Sequence, residues 1–492
     1  MPETFISVSI VALLVWSFLR RARASDIRFF YLSAICVTLI TVFLELFTYK
    51  GGSASLFYGM LSQDPFSHLL KLFCVISTLM FLLFAFTSRE TTGRSLRSME
   101  YMLLILANTL GMMFLVSSTN LLMLYLSLEL LSFTSYILTG FVERDDKTTE
   151  AAVKYLLYGG IASGVMVYGL SLLYGITGSL DYLVIYEHLS SNAVSASLLY
   201  ISILFVLAGF GYKIAAFPFH SWCPDVYEGA PTPFTAFLSV GPKVAGFAMT
   251  VRFFYKVFLE PSGGEVLNLV GGFDWTLLVA IMSAMTMTIG NLAALQQVNM
   301  RRLLAYSSIA HAGYLLMALA SHTAFGINAL FFYLVVYLVM NFGAFLVVMI
   351  VYDEYHTDTI DGYDGLGWRG RQGAFLASML TVYLFSLTGI PPFAGFIGKV
   401  YLLLAVFKKG STLYWLAVVA VINTVISLYY YARVVKFMFL SSDRKGSVRH
   451  TASSGRYFQY AVLACLTLVT VILGVYWVPL DHLASKAAEF IF

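Results

Sequence analysis

Long apolar runs alternate with short polar stretches along almost the whole chain. Tyr200 to Phe210 (YISILFVLAGF), for example, carries no charge. A helix needs roughly 20 mostly apolar residues to cross a bilayer, and runs of that length predict about fourteen spans. They fall at 3–20, 28–48, 67–88, 100–118, 121–142, 152–175, 199–218, 233–257, 274–293, 302–320, 326–350, 374–407, 412–438 and 457–479. The expected fold class is therefore all-α, a polytopic membrane protein. The twelfth run is too long for one straight span. Gly389, Pro391, Pro392, Gly395 and Gly398 inside it predict two half-helices with a break between them.

Spans seven and twelve share a pattern. Each is interrupted by proline, and each carries a lysine close to the break, Lys213 and Lys399. They lie five spans apart, and a unit with an odd number of spans inserts in the opposite sense. The expected organisation is a three-helix segment over 1–99, a five-helix repeat over 100–257, a second, inverted repeat over 274–438 and a C-terminal helix over 457–492. Paired, interrupted segments of this kind point to a transport site.

Composition narrows the class. The chain is 59% hydrophobic and 11% charged, where a soluble domain is about a quarter charged. A net charge of +4, spread over loops, suggests no nucleic-acid partner. The cysteines Cys36, Cys74, Cys223 and Cys465 are scattered without C-x-x-C spacing, which argues against an iron–sulfur cluster or zinc site in this chain. No GxGxxG follows a strand and no P-loop is present, so no nucleotide site is expected. Phe5 to Leu19 lacks a basic n-region and a small-residue cleavage site and reads as a retained helix. Basic residues set the orientation. Arg20, Arg21, Arg23 and Arg28 follow span one; Arg89, Arg94 and Arg97 follow span three; Arg301 and Arg302 follow span nine; Arg444, Lys445, Arg449 and Arg456 follow span thirteen. All lie in odd-numbered loops, which are predicted to be cytoplasmic, with both termini outside. Lys50, Lys408 and Lys409 are the exceptions.

Against this apolar background a few titratable residues stand out. Glu129 lies in MLYLSLELLSFTSY, Lys213 in GYKIAAFPF, Lys243 in SVGPKVAGF, His311 in YSSIAHAGY and Lys399 in GFIGKVYLL. A charge at a helix centre costs about 2.5–3.5 kcal/mol on insertion scales, so such residues are functional candidates by default. Each has a blander reading: a structural ion pair for Glu129, a hydrogen-bonded packing residue for His311. Lys154, in EAAVKYLLYGG, lies near the start of its span, where a lysine also reaches back to the headgroups. Polar neighbours recur at helical spacing: Tyr125, Glu129, Ser132 and Tyr136; Tyr333, Tyr337 and Asn341; Tyr306, Ser307, Ser308, His311 and Tyr314. Burial disfavours an ammonium and a nearby carboxylate restores it, while a helix break leaves backbone groups that hold water. Lysine beside a break predicts a switchable proton site, with Glu129 paired to Lys213 as its modulator.

The stretches YLSLELLSFTSYILTGF, EAAVKYLLYGGIASGVMVYGLSLLYGITGSL, GYKIAAFPFHSWCPDVYEGAPTPFTAFLS, NLAALQQVNMRRLLAYSSIAHAGYLLMAL and SLTGIPPFAGFIGKVYLL resemble subunit N of bacterial NADH–quinone oxidoreductase, respiratory complex I. The likeness runs from about Tyr125 to Lys436. PDVYEGAP resembles subunit N more than its sisters L and M, a lysine in span twelve resembles N and L, and the long lateral helix of L is not expected. Cys223 departs from the family, which more often has threonine there; it is expected to touch no titratable group. The resemblance implies an antiporter-like, proton-translocating subunit of the membrane arm, part of a translocase, in the bacterial inner membrane. By family motif it assigns Glu129, Lys213, Lys243 and Lys399 to the proton channel, with Lys399 on the exit side, and it also covers Lys154. It implies no cofactor in this chain, with NADH, FMN, iron–sulfur clusters and quinone in partner subunits. The implied partners are the antiporter-like subunit M, small subunits such as K, J and A, and lipids. A subunit of an Mrp-type Na⁺/H⁺ antiporter or of a membrane-bound hydrogenase is the alternative. A stand-alone solute transporter would need substrate-recognition groups beyond the proton-type groups found.

Overall fold

The computed structural model describes residues 2–20, 27–48, 52–92, 98–141, 146–191, 194–260, 267–270, 274–440 and 455–489. The loop residues Arg21, Arg23, Lys50, Arg94, Arg97, Arg444, Lys445 and Arg449, which carry much of the orientation argument, lie outside them. The N-terminal part comprises α1 (Pro2–Arg20), α2 (Ile27–Thr48), a small hairpin of β1 (Ala54–Leu56) and β2 (Leu61–Gln63), α3 (Pro65–Thr87) and α4 (Arg89–Thr92). Next come α5 (Ser98–Ser117), α6 (Leu121–Thr139), α7 (Asp146–Thr177), α8 (Tyr182–Ser191), α9 (Ala196–Ile214), α10 (Trp222–Gly229) and α11 (Thr232–Phe258). Then follow α12 (Thr276–Leu295), α13 (Met300–Ser321), α14 (Ala324–Tyr355), α15 (Gly370–Thr388), α16 (Ala394–Lys409), α17 (Tyr414–Leu440), α18 (Gly455–Val475) and α19 (Val478–Glu489).

Thirteen helices among the described residues are long and apolar enough to cross a membrane. The expected number, about fourteen, included one span over 374–407. That stretch, expected to hold a break, is divided into the two helices α15 and α16, and neither half alone is among the thirteen. The chemistry of residues 389–393 explains the division. Gly389 adopts φ +90°, and its N–H turns back to the Phe385 and Ser386 carbonyls. Pro391 and Pro392 then have no N–H to continue the ladder. The end of α9 is similar: Ala215 is left-handed (φ 58°), its N–H closes on Tyr212, and α10 resumes after Pro218.

Helix starts follow their caps. The Asp64 carboxylate accepts from Ser67 N–H at 2.7 Å while Ser67 Oγ accepts from Asp64 N–H at 2.9 Å, and Pro65 takes the first position of α3. Asn299 Oδ1 accepts from the N–H groups of Arg301 and Arg302 at the start of α13. Two helices outrun the expected segments. Both α7 and α14 have 32 residues, about 48 Å at 1.5 Å per residue, against a hydrocarbon core of about 30 Å. Their polar ends therefore project beyond the apolar runs that predicted them.

The bundle is layered by burial. The apolar window of α11 is 100% buried, those of α13 and α14 94%, that of α1 only 17%. Charged contacts gather at the two ends. At one end Arg89, Asp353, Glu90, Arg301, Asp358, Glu354 and Arg456 tie α4, α13, α14 and α18 together. At the other, Arg252 of α11 grips Asp64 with two hydrogen bonds of 2.7 and 2.8 Å, Glu3 pairs with Lys71 at 2.5 Å and Glu45 with His68 at 2.9 Å.

Candidate functional site

Four of the candidates lie deep in the bundle: Lys213 and Lys243 are each 2% exposed, His311 2% and Lys399 6%. Lys213 is in the last turn of α9, just before the break, and donates to Ser132 Oγ on α6 at 3.1 Å. Its stem packs on α11, where a Cβ on Gly246 would lie 3.4 Å from Lys213 Cγ. Three residues before Gly246, Lys243 reaches across to α13 and donates to the Ser308 carbonyl at 2.8 Å and to Ser308 Oγ at 2.6 Å. That hydroxyl also accepts from Tyr337 of α14 at 2.7 Å and faces the Tyr227 hydroxyl of α10 at 3.4 Å.

One residue triplet along α13, His311 Nδ1 meets the Tyr333 hydroxyl at 2.6 Å. His311 is near enough to Lys243 and Lys399 to feel both charges. Lys399 sits over the ring of Tyr314, Nζ 4.4 Å from the centroid, and donates to the Thr388 carbonyl at 2.8 Å. Thr388 is the last residue of α15, so its carbonyl is one that a continuous helix would have occupied. The break thus creates the acceptor, and the helix dipole favours a cation there. Hydroxyls and imidazole can each donate and accept; Lys243, Ser308, Tyr337, His311, Tyr333 and Lys399 lie in a buried row, hydrogen-bonded within the Lys243–Ser308–Tyr337 and His311–Tyr333 groups, with ring contacts of His311 to Tyr337 and Tyr314 between them.

Two candidates fall elsewhere. Glu129 is half-buried and accepts from Ser163 Oγ of α7. It does not pair with Lys213 as expected, although the lysine lies within reach of its charge; Ser132, three residues on from Glu129, takes the hydrogen bond instead. Lys154 lies at the charged end of the bundle, not in the central row. It pairs with Asp225 of α10 at 2.7 Å and with Glu150 at 2.5 Å, its side chain 37% exposed. The early start of α7 at Asp146 accounts for this, since the expected span began at 152. Cys223 is buried in α10, one turn before Tyr227.

Sequence reading missed several participants. Asp225 and Glu228 both accept from Arg302, at 2.6 and 2.9 Å, which locks α10 to α13. Lys147 adds a bond from α7 to Glu228 at 2.9 Å. Burial works against the Asp225 carboxylate, but the hydrogen bonds from Lys154 and Arg302 outweigh it and hold its pKa below the usual range. Glu228 is held low in the same way by Lys147 and Arg302, and Asp358 by Arg301. Nearer the centre, Ser307 meets Tyr431 at 2.5 Å, and the adjacent Tyr430 leads to Asn291 (2.9 Å) and Asn423 (3.1 Å). Of these, Ser307 belonged to the polar patch already singled out; Tyr430, Tyr431, Asn291 and Asn423 did not, and their only sequence signal was an amide or hydroxyl inside an apolar run. Among the described residues no cluster of three or more His, Cys, Asp or Glu could hold a metal ion.

A multi-span helical bundle with lysines at two helix breaks and buried lysine, hydroxyl and imidazole groups between them marks an antiporter-like membrane subunit. A family model described as NADH:quinone oxidoreductase/Mrp antiporter, TM, matches residues 118–427. The chain is 43% identical over 436 residues to NADH-quinone oxidoreductase subunit N 2 of Chloroherpeton thalassium, covering 88% of this chain and 84% of that one. It is 41% identical to the corresponding subunit N 2 of Sorangium cellulosum, covering 100% of this chain and 97% of that one. The chain belongs to the NADH-quinone oxidoreductase subunit N family. Among solved structures, a chain of respiratory complex I from Thermus thermophilus with bound aureothin is 28% identical, with a TM-score of 0.79 over 99% of this chain and 100% of that one. The Mrp complex from Dietzia sp. shares the fold, at 20% identity and a TM-score of 0.83, covering 100% of this chain and 97% of that one.

Proposed function

We propose that this chain moves protons through the membrane arm of a bacterial NADH–quinone oxidoreductase, driven by electron transfer from NADH to quinone in partner subunits. The observation that carries the reading is the buried row from Lys243 through Ser308 and His311 to Lys399, in a subunit N relative. Lys213 and Glu129 load this row from the side of α6, and Lys399 delivers to the exit side. Lys154 acts at the rim through Asp225 rather than within the row. Residues 100–257 and 274–438 act as two inverted repeats, each contributing one lysine-bearing break, behind a three-helix segment over 1–99 and ahead of a C-terminal helix over 457–492. The charged end, with Arg301, Arg302 and Asp225, faces the cytoplasm, with both termini outside.

The antiporter-like M subunit and the small subunits K, J and A are the proposed neighbours. NADH, FMN, iron–sulfur clusters and quinone belong to the rest of the assembly. An Mrp-type or hydrogenase subunit is the weaker reading, because the subunit N relatives reach 39–43% identity over most of the chain while the Mrp likeness extends to the fold alone.

A tagged chain, purified from native membranes in mild detergent, tests this directly. It should bring down a large complex that oxidises NADH and reduces quinone. Recovery with antiporter-type subunits only, or alone, would sink the reading.

A further inference from the structure

Tyr136 belongs to the polar stripe of α6 but lies outside the buried row. It sits in the last turn of that helix, one turn beyond Ser132 and two beyond Glu129. Helical side chains lean towards the N-terminus of their helix, so the Tyr136 ring lies over Ser132. The Ser132 hydroxyl in turn accepts from Lys213 at 3.1 Å. The end of α6 leads into the start of α7, where Thr148 donates to the Gly229 carbonyl of α10 at 2.7 Å and Lys147 pairs with Glu228. Tyr136 therefore stands between Lys213 and the charged rim.

Its neighbours are held fast. The Tyr212 hydroxyl donates to the Tyr155 carbonyl at 2.8 Å, and the Tyr212 carbonyl accepts from the Trp222 indole at 3.1 Å. Trp222 stacks on Tyr155 with centroids 4.5 Å apart, and Tyr155 meets the Tyr136 ring edge-on at 4.8 Å. These rings form a layer next to the Lys154–Asp225 pair of the rim. The Tyr136 hydroxyl has its place only because residue 159 of α7 is glycine. A Cβ there would overlap that hydroxyl and lie 2.7 Å from the one on Tyr212. Packing alone asks for neither residue. A phenylalanine at 136 would fill the same ring position without burying a hydroxyl, which is costly unless it is used. An alanine at 159 would suit a helix interior better than glycine.

We infer that Tyr136 is the proton-transfer residue through which Lys213 is loaded from the charged rim, with Gly159 as the positioning residue that leaves room for its hydroxyl. The inference rests on the proton-translocating reading above and adds the entry step to it. When Lys213 is a neutral amine, Ser132 turns its O–H towards Nζ and gives up that proton. Ser132 takes the Tyr136 proton in return, and a protonated water at the rim refills Tyr136. A hydroxyl can do this because its one oxygen both accepts and donates. Each hydroxyl ends with the proton count it began with, and one proton has passed from water to the lysine.

The test uses the fully assembled complex in liposomes, with NADH-driven proton translocation read in H₂O and in D₂O. Tyr136→Phe keeps the ring and removes only the O–H. Translocation is expected to fall several-fold, with a larger solvent isotope effect than in the wild type. Gly159→Ala keeps the tyrosine but displaces its hydroxyl, and the same slowing with the same rise is expected. Wild-type translocation by an assembled Tyr136→Phe complex overturns the inference. Slowing without a rise in the isotope effect also overturns it, since that marks a packing role. If Tyr136→Phe does not assemble, Gly159→Ala decides by the same readings. A wild-type complex that does not translocate protons at all would instead sink the reading on which the entry step rests.

Discussion

Lys243, Ser308 and Tyr337 show what a single buried contact has to do. Two donors from different helices converge on the Ser308 hydroxyl, and a third faces it. Ser308→Ala leaves the Tyr337 hydroxyl without that partner, so a loss of about 1–3 kcal/mol in stability is expected, together with slower proton translocation. Thermal unfolding and pumping by the same preparation check it, and a variant matching the wild type in both would remove Ser308 from the row. Lys213→Met, Glu129→Gln and Lys399→Met should each cut proton translocation strongly while the complex still assembles; normal pumping by an assembled variant would strike that residue from the pathway. Gly389→Ala adds a side chain at φ +90°, with its Cβ 2.9 Å from Lys399 Cδ. About 1–2 kcal/mol of backbone strain and a displaced Lys399 should follow, read out as lower thermal stability and slower pumping. The lysines were legible in the sequence because a charge in an apolar run stands out on its own. Ser308 and Tyr337 stood out as polar neighbours, but which lysine they meet was not legible, because they and the Thr388 carbonyl reach the lysines from other helices or across a break. The direct Glu129–Lys213 contact is not formed, for the same reason. Spacing places Glu129 and Ser132 on one helix face but does not say which of them a lysine from α9 will meet.

At the scale of elements, the helix breaks matter most, and they were legible because proline and glycine act locally. The short helix α10 was not: its eight residues carry no membrane-length run, and what holds it is a set of ion pairs to α7 and α13. Asp225, Glu228 and Asp358 have folded pKa values below their ordinary ones, about 3.9 for aspartate and 4.3 for glutamate. A depressed carboxylate pKa contributes stability above the unfolded value and loses it as pH falls through the folded one. Hydrogen exchange in α10, corrected for its intrinsic pH dependence, should therefore stay flat from pH 8 to 5 and rise only below about pH 4. Loosening between pH 7 and 5 would contradict this account. Asp225→Asn should loosen α10 at pH 7 already. If Lys154 serves as a latch on α10, Lys154→Arg keeps both pairs and pumps near the wild-type rate, whereas Lys154→Ala loosens α10. The hairpin, α8 and α19 also escaped the sequence reading, being short or polar enough to pass for loop.

For the molecule as a whole, the bidentate Arg252–Asp64 contact joins α11 to the start of α3. Arg252 is 1% and Asp64 6% exposed by side chain, and the guanidinium also lies 4.7 Å from the Phe66 ring centroid. The Arg252 guanidinium outweighs burial and holds Asp64 well below the ordinary carboxylate range. Breaking a buried pair by removing one partner costs about 3–5 kcal/mol, so Arg252→Leu should lower the unfolding temperature of the complex markedly. An unchanged unfolding temperature would count against a structural role.

That contact bears on how the protein is made. The helix α11 carries Lys243, Arg252 and Lys256 and an internal proline, and has the lowest hydropathy of the thirteen candidate spans, 1.3. Each cation near a helix centre disfavours release from the translocon into lipid by about 2.5–3.5 kcal/mol. The helix that supplies the chemistry is thus a poor solitary inserter. It emerges after α3 has been synthesised, with Asp64 available to neutralise Arg252, and chain order provides the chaperone that hydrophobicity does not.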